Sequence, residues 1–97
     1  MPDVFGAKRY RRDPDVVCRR VAAEVILVPI RKNVREVGIY RLNEVAGFVW
    51  DRLDGTRTIE DLARDIAEAY AVDEATALRD LDLLLEKLSR MGGVHEA

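Results

Sequence analysis

Few side chains in this sequence of 97 residues are of the types that act in catalysis. Cys18 is its only cysteine and His95 its only histidine. A nucleophilic thiol or hydroxyl needs a neighbouring base, and Cys18 and Ser89 have only His95, close to the C-terminus, as a histidine partner. One cysteine and one histidine also cannot form the usual four-ligand zinc site. We expect a buried or half-buried thiol at Cys18 and a solvated imidazole at His95.

Carboxylate pairs and glycines give no stronger sign of catalysis. The sequence has neighbouring carboxylates at Glu60-Asp61 and at Asp80 with Asp82. Such pairs are routine on solvated helix surfaces, and nothing in the sequence indicates a pocket that would desolvate them. Gly92-Gly93 follows a predicted helix, whereas a phosphate-binding glycine loop precedes one. We therefore expect a protein that is not an enzyme on its own and that carries no metal or cofactor.

Length and composition indicate one small domain. Hydrophobic residues make up 48% of the chain and its net charge is −2, which gives no general attraction to nucleic acid. No apolar run approaches the ~20 residues of a membrane span, and the N-terminus lacks the pattern of a signal peptide. We expect a cytoplasmic protein with no membrane contact.

The N-terminal region is basic, unlike the chain as a whole. Among the first twenty residues, six are lysine or arginine and three are aspartate. Asp13-Pro14-Asp15 is a turn signal, and residues 1–15 show no sustained periodicity. We interpret residues 1–15 as a flexible, solvated arm; the alternative is a contact with an acidic peptide or partner.

Apolar and β-branched runs predict three strands at residues 16–21, 24–30 and 37–42. No segment between them is long enough for a helix, so they should pair in antiparallel order. Polar residues 31–36 suit a hairpin connection.

Helical spacing and capping residues predict three helices after the strands. Asn43 caps the first helix, and Asp54-Gly55 should stop it. Thr58 begins the second with Asp61 in a capping box, and Asp73 caps the third. The third helix has an unusually wide apolar stripe, while Leu83 lies outside it without an evident reason.

These elements predict an α+β fold: a three-stranded antiparallel sheet followed by a three-helix bundle in a winged-helix-like arrangement. The single domain would span residues 16–94, and residues 95–97 would form a tail. A winged helix that binds DNA is one alternative function. From Asp73 to Met91, however, the chain has five acidic residues and three basic ones. The net charge of this helix therefore has the wrong sign for contacts with phosphates.

Peptide binding suits the predicted fold better. The third strand carries apolar side chains on both faces, and at a sheet edge its free N–H and C=O groups can pair with an added strand. The edge can instead be covered by the N-terminal arm or by a second copy of the chain, as in a homodimer or a purely protein-interaction domain. Leu42 leads into the helices and should face them with Tyr40, so Ile39 should point away from the core.

Several short motifs resemble one known family, over residues 16–94. The resemblance is to the PqqD family, whose domain is also called the RiPP recognition element, and it lies in Leu42-Asn43-Glu44, Trp50, Leu53-Asp54-Gly55, Thr58-Ile59-Glu60 and Arg79-Asp80-Leu81. Family members bind the leader segment of a ribosomally made precursor peptide and present it to a modifying enzyme, often a radical S-adenosylmethionine enzyme.

The resemblance implies a place for the leader as well. In the family it adds to the third strand and lies against the third helix, which implies these contact residues: Val37, Gly38, Ile39, Tyr40, Arg41, Leu42, Leu78, Leu81, Leu84, Leu85 and Leu88. Members of the pyrroloquinoline-quinone pathway tend to run quickly from a proline into Leu-Asn, whereas residues 30–41 intervene here between Pro29 and Leu42. The difference favours a member that serves another peptide product.

Overall fold

The computed structural model describes residues 7–22, 24–29 and 40–97. Within these ranges the chain forms strands and three α-helices in the order β1 (Arg9–Arg12), β2 (Val16–Val21), β3 (Glu24–Pro29), β4 (Tyr40–Leu42), α1 (Glu44–Asp51), β5 (Asp54–Thr58), α2 (Ile59–Tyr70), α3 (Glu74–Arg90) and β6 (Val94–Glu96).

The predicted antiparallel sheet is present in the described residues, with strand order β2-β3-β4. β3 lies in the middle, and Val25 pairs with Leu42 while Leu27 pairs with Tyr40. Of the predicted third strand, the structure describes only β4; Val37, Gly38 and Ile39 lie outside the described residues.

A second sheet shows that the predicted order, a sheet followed only by helices, is wrong. Its strand order is β5-β1-β6, so two of its strands come after α1 in the chain. β1 and β5 are short and polar, with the sequences RYRR and DGTRT, and show none of the apolar alternation that predicts a strand. They are strands because they pair with segments far away in the chain.

β1 belongs to residues 1–15, the region expected to be a flexible arm, yet it lies in the middle of this sheet. The Arg12 guanidinium also donates from Nη1 to the carbonyl oxygens of Trp50 at 2.8 Å and of Asp51 at 2.9 Å. These carbonyls are in the last turn of α1, where the helix no longer supplies the usual N–H donors, although the Trp50 carbonyl also accepts the Leu53 N–H at 3.2 Å. Arg12 therefore ties the N-terminal region to the first helix.

His95 is partly exposed, as expected, but it is not a free tail residue. His95 lies in β6 opposite Arg11, and its Nε2 contacts the Oδ2 atom of Asp13, a carboxylate that is only 5% exposed. Asp13 further accepts the backbone N–H of Asp15 at 2.7 Å. The sheet pairing brings the two side chains together across most of the chain length, which no local pattern predicts.

Cys18 is exposed, contrary to the expected burial. It lies in β2, an edge strand whose residues are nearly all exposed. Its cross-strand partner Leu27, on the central strand, is fully buried. The helices therefore cover the central strand at this point but do not extend over β2. A strand's apolar composition alone does not show which strand takes the centre of the sheet.

The predicted caps are confirmed. Asn43 accepts the Ala46 N–H at 2.8 Å, Thr58 and Asp61 form the reciprocal capping box, and Asp73 accepts from Thr76. The first helix ends at Asp51, however, before the Asp54-Gly55 pair that should stop it. Gly55 instead takes its positive φ of 85° inside β5.

One core joins the first sheet to all three helices. Trp50 is 3% exposed within it, and its other buried members are Val25, Leu27, Leu42, Ala46, Val49, Leu53, Ile59, Leu62, Ala63, Ile66, Ala77, Leu81, Leu85, Leu88 and Val94. No helix of the described residues is long and apolar enough to cross a membrane.

α1 approaches β3 closely at Gly47. A Cβ atom at this position would lie 2.6 Å from Cγ2 of Val25, which is closer than packed atoms come. We expect Gly47→Ala to destabilise the protein by about 1–3 kcal/mol through overpacking, despite the better helix propensity of alanine. Chemical denaturation measures the change.

Val25→Ala provides the matched control for this prediction. It removes the methyl group that the new Cβ would meet, so the double variant should lose less stability than the sum of the two single variants. Additive losses would show that the two elements do not meet at Gly47.

Candidate functional site

A groove runs between α1 and α3 and begins where β4 ends. We call it the α1/α3 groove; its volume is about 410 Å³, and its lining residues are Asn43, Val45, Ala46, Val49, Ile66, Asp80, Leu81, Leu83, Leu84 and Lys87. Asn43 follows β4 directly, which makes the strand and the groove continuous.

Aliphatic side chains form most of the groove. Val49 and Leu81 are buried at its base, and Val45 and Leu84 are half-buried along its walls. Such a surface gains free energy by covering apolar side chains of a guest, at roughly 25 cal/mol per Å² removed from water. The groove is therefore suited to leucine-like or valine-like side chains.

Leu83, which the sequence left unexplained, lies at the groove rim and is 53% exposed. The spacing of Asp80, Leu83, Leu84 and Lys87 places these residues on one side of α3, since residues three, four and seven apart share a helix face. The same spacing could have identified this second face of α3 in the sequence.

β4 lies at an edge of its sheet, and the structure describes no strand on its outer side. Leu42 is buried and Tyr40 packs against the core, which confirms that both face the helices, while Arg41 is exposed. A strand at such an edge can accept a further strand through its unpaired backbone groups.

A second depression, of about 360 Å³, is lined by charged side chains that pair with one another. The Arg52 guanidinium lies 3.7 Å from the Phe48 ring centroid and 3.8 Å from the Asp65 carboxylate, which also pairs with Arg57 at 3.6 Å. These opposite charges satisfy one another, so this depression is a weaker candidate than the groove.

The carboxylates with shifted acidity serve turns and caps. The Thr56 hydroxyl donates to Asp54 and lowers the pKa of this carboxyl group, and the Thr58 backbone N–H does the same for the pKa of Asp61. Within the residues that the structure describes, no group of three histidine, cysteine, aspartate or glutamate side chains is placed to hold a metal ion.

The sequence itself decides the family. A match to the family described as Coenzyme PQQ synthesis protein D (PqqD) covers residues 24–93. The chain belongs to the PqqD family. Among curated proteins, none matches the chain.

Two solved structures share the fold of this PqqD-family chain. One is TbiB1 in complex with the TbiA(beta) leader peptide, with a TM-score of 0.74 and 24% identity over 88% of this chain and 94% of that one. The other is lasso peptide synthetase B1 complexed with the leader peptide, with a TM-score of 0.74 and 22% identity over 90% of this chain and 98% of that one.

The structure divides the predicted leucine stripe of α3. Leu84 and the buried core residue Leu81 line the groove, and Leu78 is half-buried against the core. Leu85 and Leu88 are 3% and 2% exposed, and both belong to the core cluster rather than to the groove lining. In this PqqD-family chain, one stripe therefore carries both core residues and groove residues.

The groove also contains side chains that sequence reasoning did not assign to it. α1 and its cap contribute Asn43, Val45, Ala46 and Val49, and α2 contributes Ile66. The sequence predicts a cap at Asn43 and core positions for the four apolar residues. The half-burial of Val45 follows only from where α1 and α3 lie relative to each other.

Proposed function

We propose that this PqqD-family chain is a RiPP recognition element: it captures the leader segment of a ribosomally made precursor peptide and presents it to a modifying enzyme. The observation that carries the proposal is the edge strand β4 leading directly into the aliphatic α1/α3 groove. The two solved structures of the same fold, each in complex with a leader peptide, support it.

Strand addition explains how one site can hold a flexible peptide. The guest backbone would pair with the free edge of β4, which satisfies its N–H and C=O groups. Side chains of a strand alternate in direction, so every second guest side chain would turn towards the groove. Val45 and Leu84, the half-buried walls of the groove, would then contact apolar guest side chains, and Leu81 would form the buried base beneath them.

The predicted contact residues enter this proposal in two ways. Tyr40, Arg41 and Leu42 would supply the docking edge, together with Val37, Gly38 and Ile39, whose role stays a prediction. Leu85 and Leu88 are in the core and would hold α3 in place rather than touch the guest. Leu78 would lie beyond the groove proper, since it is half-buried but not part of the lining.

The chain would act without catalysis of its own, and its partner enzyme would do the chemistry. A radical S-adenosylmethionine enzyme is the partner that the family implies, and a peptide product other than pyrroloquinoline quinone suits the leader complexes of its structural neighbours. We further propose a cytoplasmic location. The pairing of β1 with β5 and β6 favours a folded unit wider than residues 16–94.

Calorimetric titration tests the proposal. Leader segments of precursor peptides encoded beside the gene should bind saturably, whereas scrambled leaders of the same composition should not. The rival function is DNA binding, and the winged-helix-like description on which it depends stays a prediction. Binding of duplex DNA, with no leader bound at high micromolar concentration, would establish the rival.

Hydrogen exchange on the same complex tests the mode of binding. A leader that adds to the sheet should slow amide exchange in β4, because its outer edge becomes hydrogen-bonded. β2, the opposite edge of the same sheet, is the internal control and should exchange as before. Equal slowing at both edges would argue against docking at β4.

A further inference from the structure

Two charges of opposite sign lie on the α3 side of the groove. Asp80 and Lys87 both line it, and both are exposed. They are seven residues apart in the helix, which is two turns, or about 10.5 Å along its axis. A guest in the groove would therefore meet a carboxylate near one end and an ammonium group near the other.

Neither charge has an ionic partner among the residues that the structure describes, since the charged pairs formed there involve other side chains. Glu86 and Arg90, on the same helix but outside the groove lining, do pair with each other, at 2.6 Å. The groove charges are thus available to a guest, while the neighbouring charges are already paired.

Apolar side chains separate the two charges. Leu83 and Leu84 lie between Asp80 and Lys87 on the same side of α3. A strand rises about 3.3 Å per residue, so the distance between the charges corresponds to about three guest residues. Long basic and acidic side chains two or four positions apart, which share one face of a strand, can reach both.

We propose that Asp80 and Lys87 select the charge order of the guest peptide: a basic side chain beside Asp80, an acidic one beside Lys87, and apolar residues between them. This inference rests on the proposed function, because it requires a peptide in the groove. Its consequence is directional. A guest inserted the other way round would set like charges against each other, so only one orientation is favoured.

Selection from a displayed library of random peptides of about 12 residues, long enough to cross the groove, tests the inference. On the wild-type protein, enriched peptides should carry a basic and an acidic residue in one preferred order around apolar residues. On the double variant Asp80→Lys with Lys87→Asp, the preferred order should reverse. Thermal melting should first show that the exposed substitutions leave the fold intact.

A second double variant on the same helix is the matched control. Glu86→Arg with Arg90→Glu also exchanges two opposite charges and keeps the net charge, but it lies outside the groove. Peptides selected on this variant should keep the wild-type order. If the charge order of the selected peptides reversed on this variant as well, the overall electrostatic field of the helix, and not the groove pair, would select the guest.

The affinity of one enriched peptide gives the size of the effect. Reversing both groove charges should weaken its binding by about tenfold in dilute buffer, and the difference should shrink in high salt because exposed charges are screened. Enriched peptides without a charge order, or with the same order on the groove variant, would overturn this inference and leave peptide binding intact. No enrichment on any variant would instead overturn the proposed function.

Discussion

Trp50→Ala is expected to leave the protein largely unfolded. Trp50 is 3% exposed, and its side chain belongs to the core cluster that joins α1 to the elements packed on it. Truncation of a buried aromatic side chain costs about 3–5 kcal/mol. The free energy of unfolding of a small domain is about 5–15 kcal/mol, so this loss takes a large share of it. Circular dichroism with thermal melting measures the result.

Leu83→Ala is the control for this prediction. It also truncates a large hydrophobic side chain, but one that is 53% exposed, so it should change stability by no more than about 0.5 kcal/mol. If the Trp50→Ala protein melted like the Leu83→Ala protein, the core would be centred elsewhere.

Leu84→Asp is expected to abolish most of the peptide binding. Leu84 is a half-buried wall of the α1/α3 groove, and burial of a leucine side chain is worth about 1.5–3 kcal/mol. The variant loses this contribution and sets an unpaired carboxylate against an apolar guest. Affinity for a leader that binds the wild-type protein should fall by about 10- to 100-fold, as calorimetry would show.

Ala75→Asp provides the matched control, because it adds the same charge to an exposed position about 180° around α3 from Leu84. It should bind the leader as the wild-type protein does. The fluorescence of Trp50, the only tryptophan, reports whether the core of each variant is intact. Full affinity in a folded Leu84→Asp protein would exclude the groove as the docking surface.

The sequence by itself determined the features that depend on neighbours a few residues apart. The caps at Asn43, Thr58 and Asp73 each act on an N–H group three residues on, so their residue types are sufficient to predict them. The apolar period of α2 and α3 and the β-branched runs of β2 and β3 are local in the same sense. The family motifs lie at the starts of α1 and α2, near the end of α1 and just after it, and within α3.

The tertiary structure alone decided the features that depend on residues far apart. β1 becomes a strand because Arg9 lies opposite Thr58 and Tyr10 opposite Glu96, and Asp13 meets His95 for the same reason. The division of the leucines of α3 into core and groove depends on where α1 lies beside them. Short-range patterns report local preference, whereas pairing over tens of residues and the relative placement of two helices depend on the packing of the whole chain.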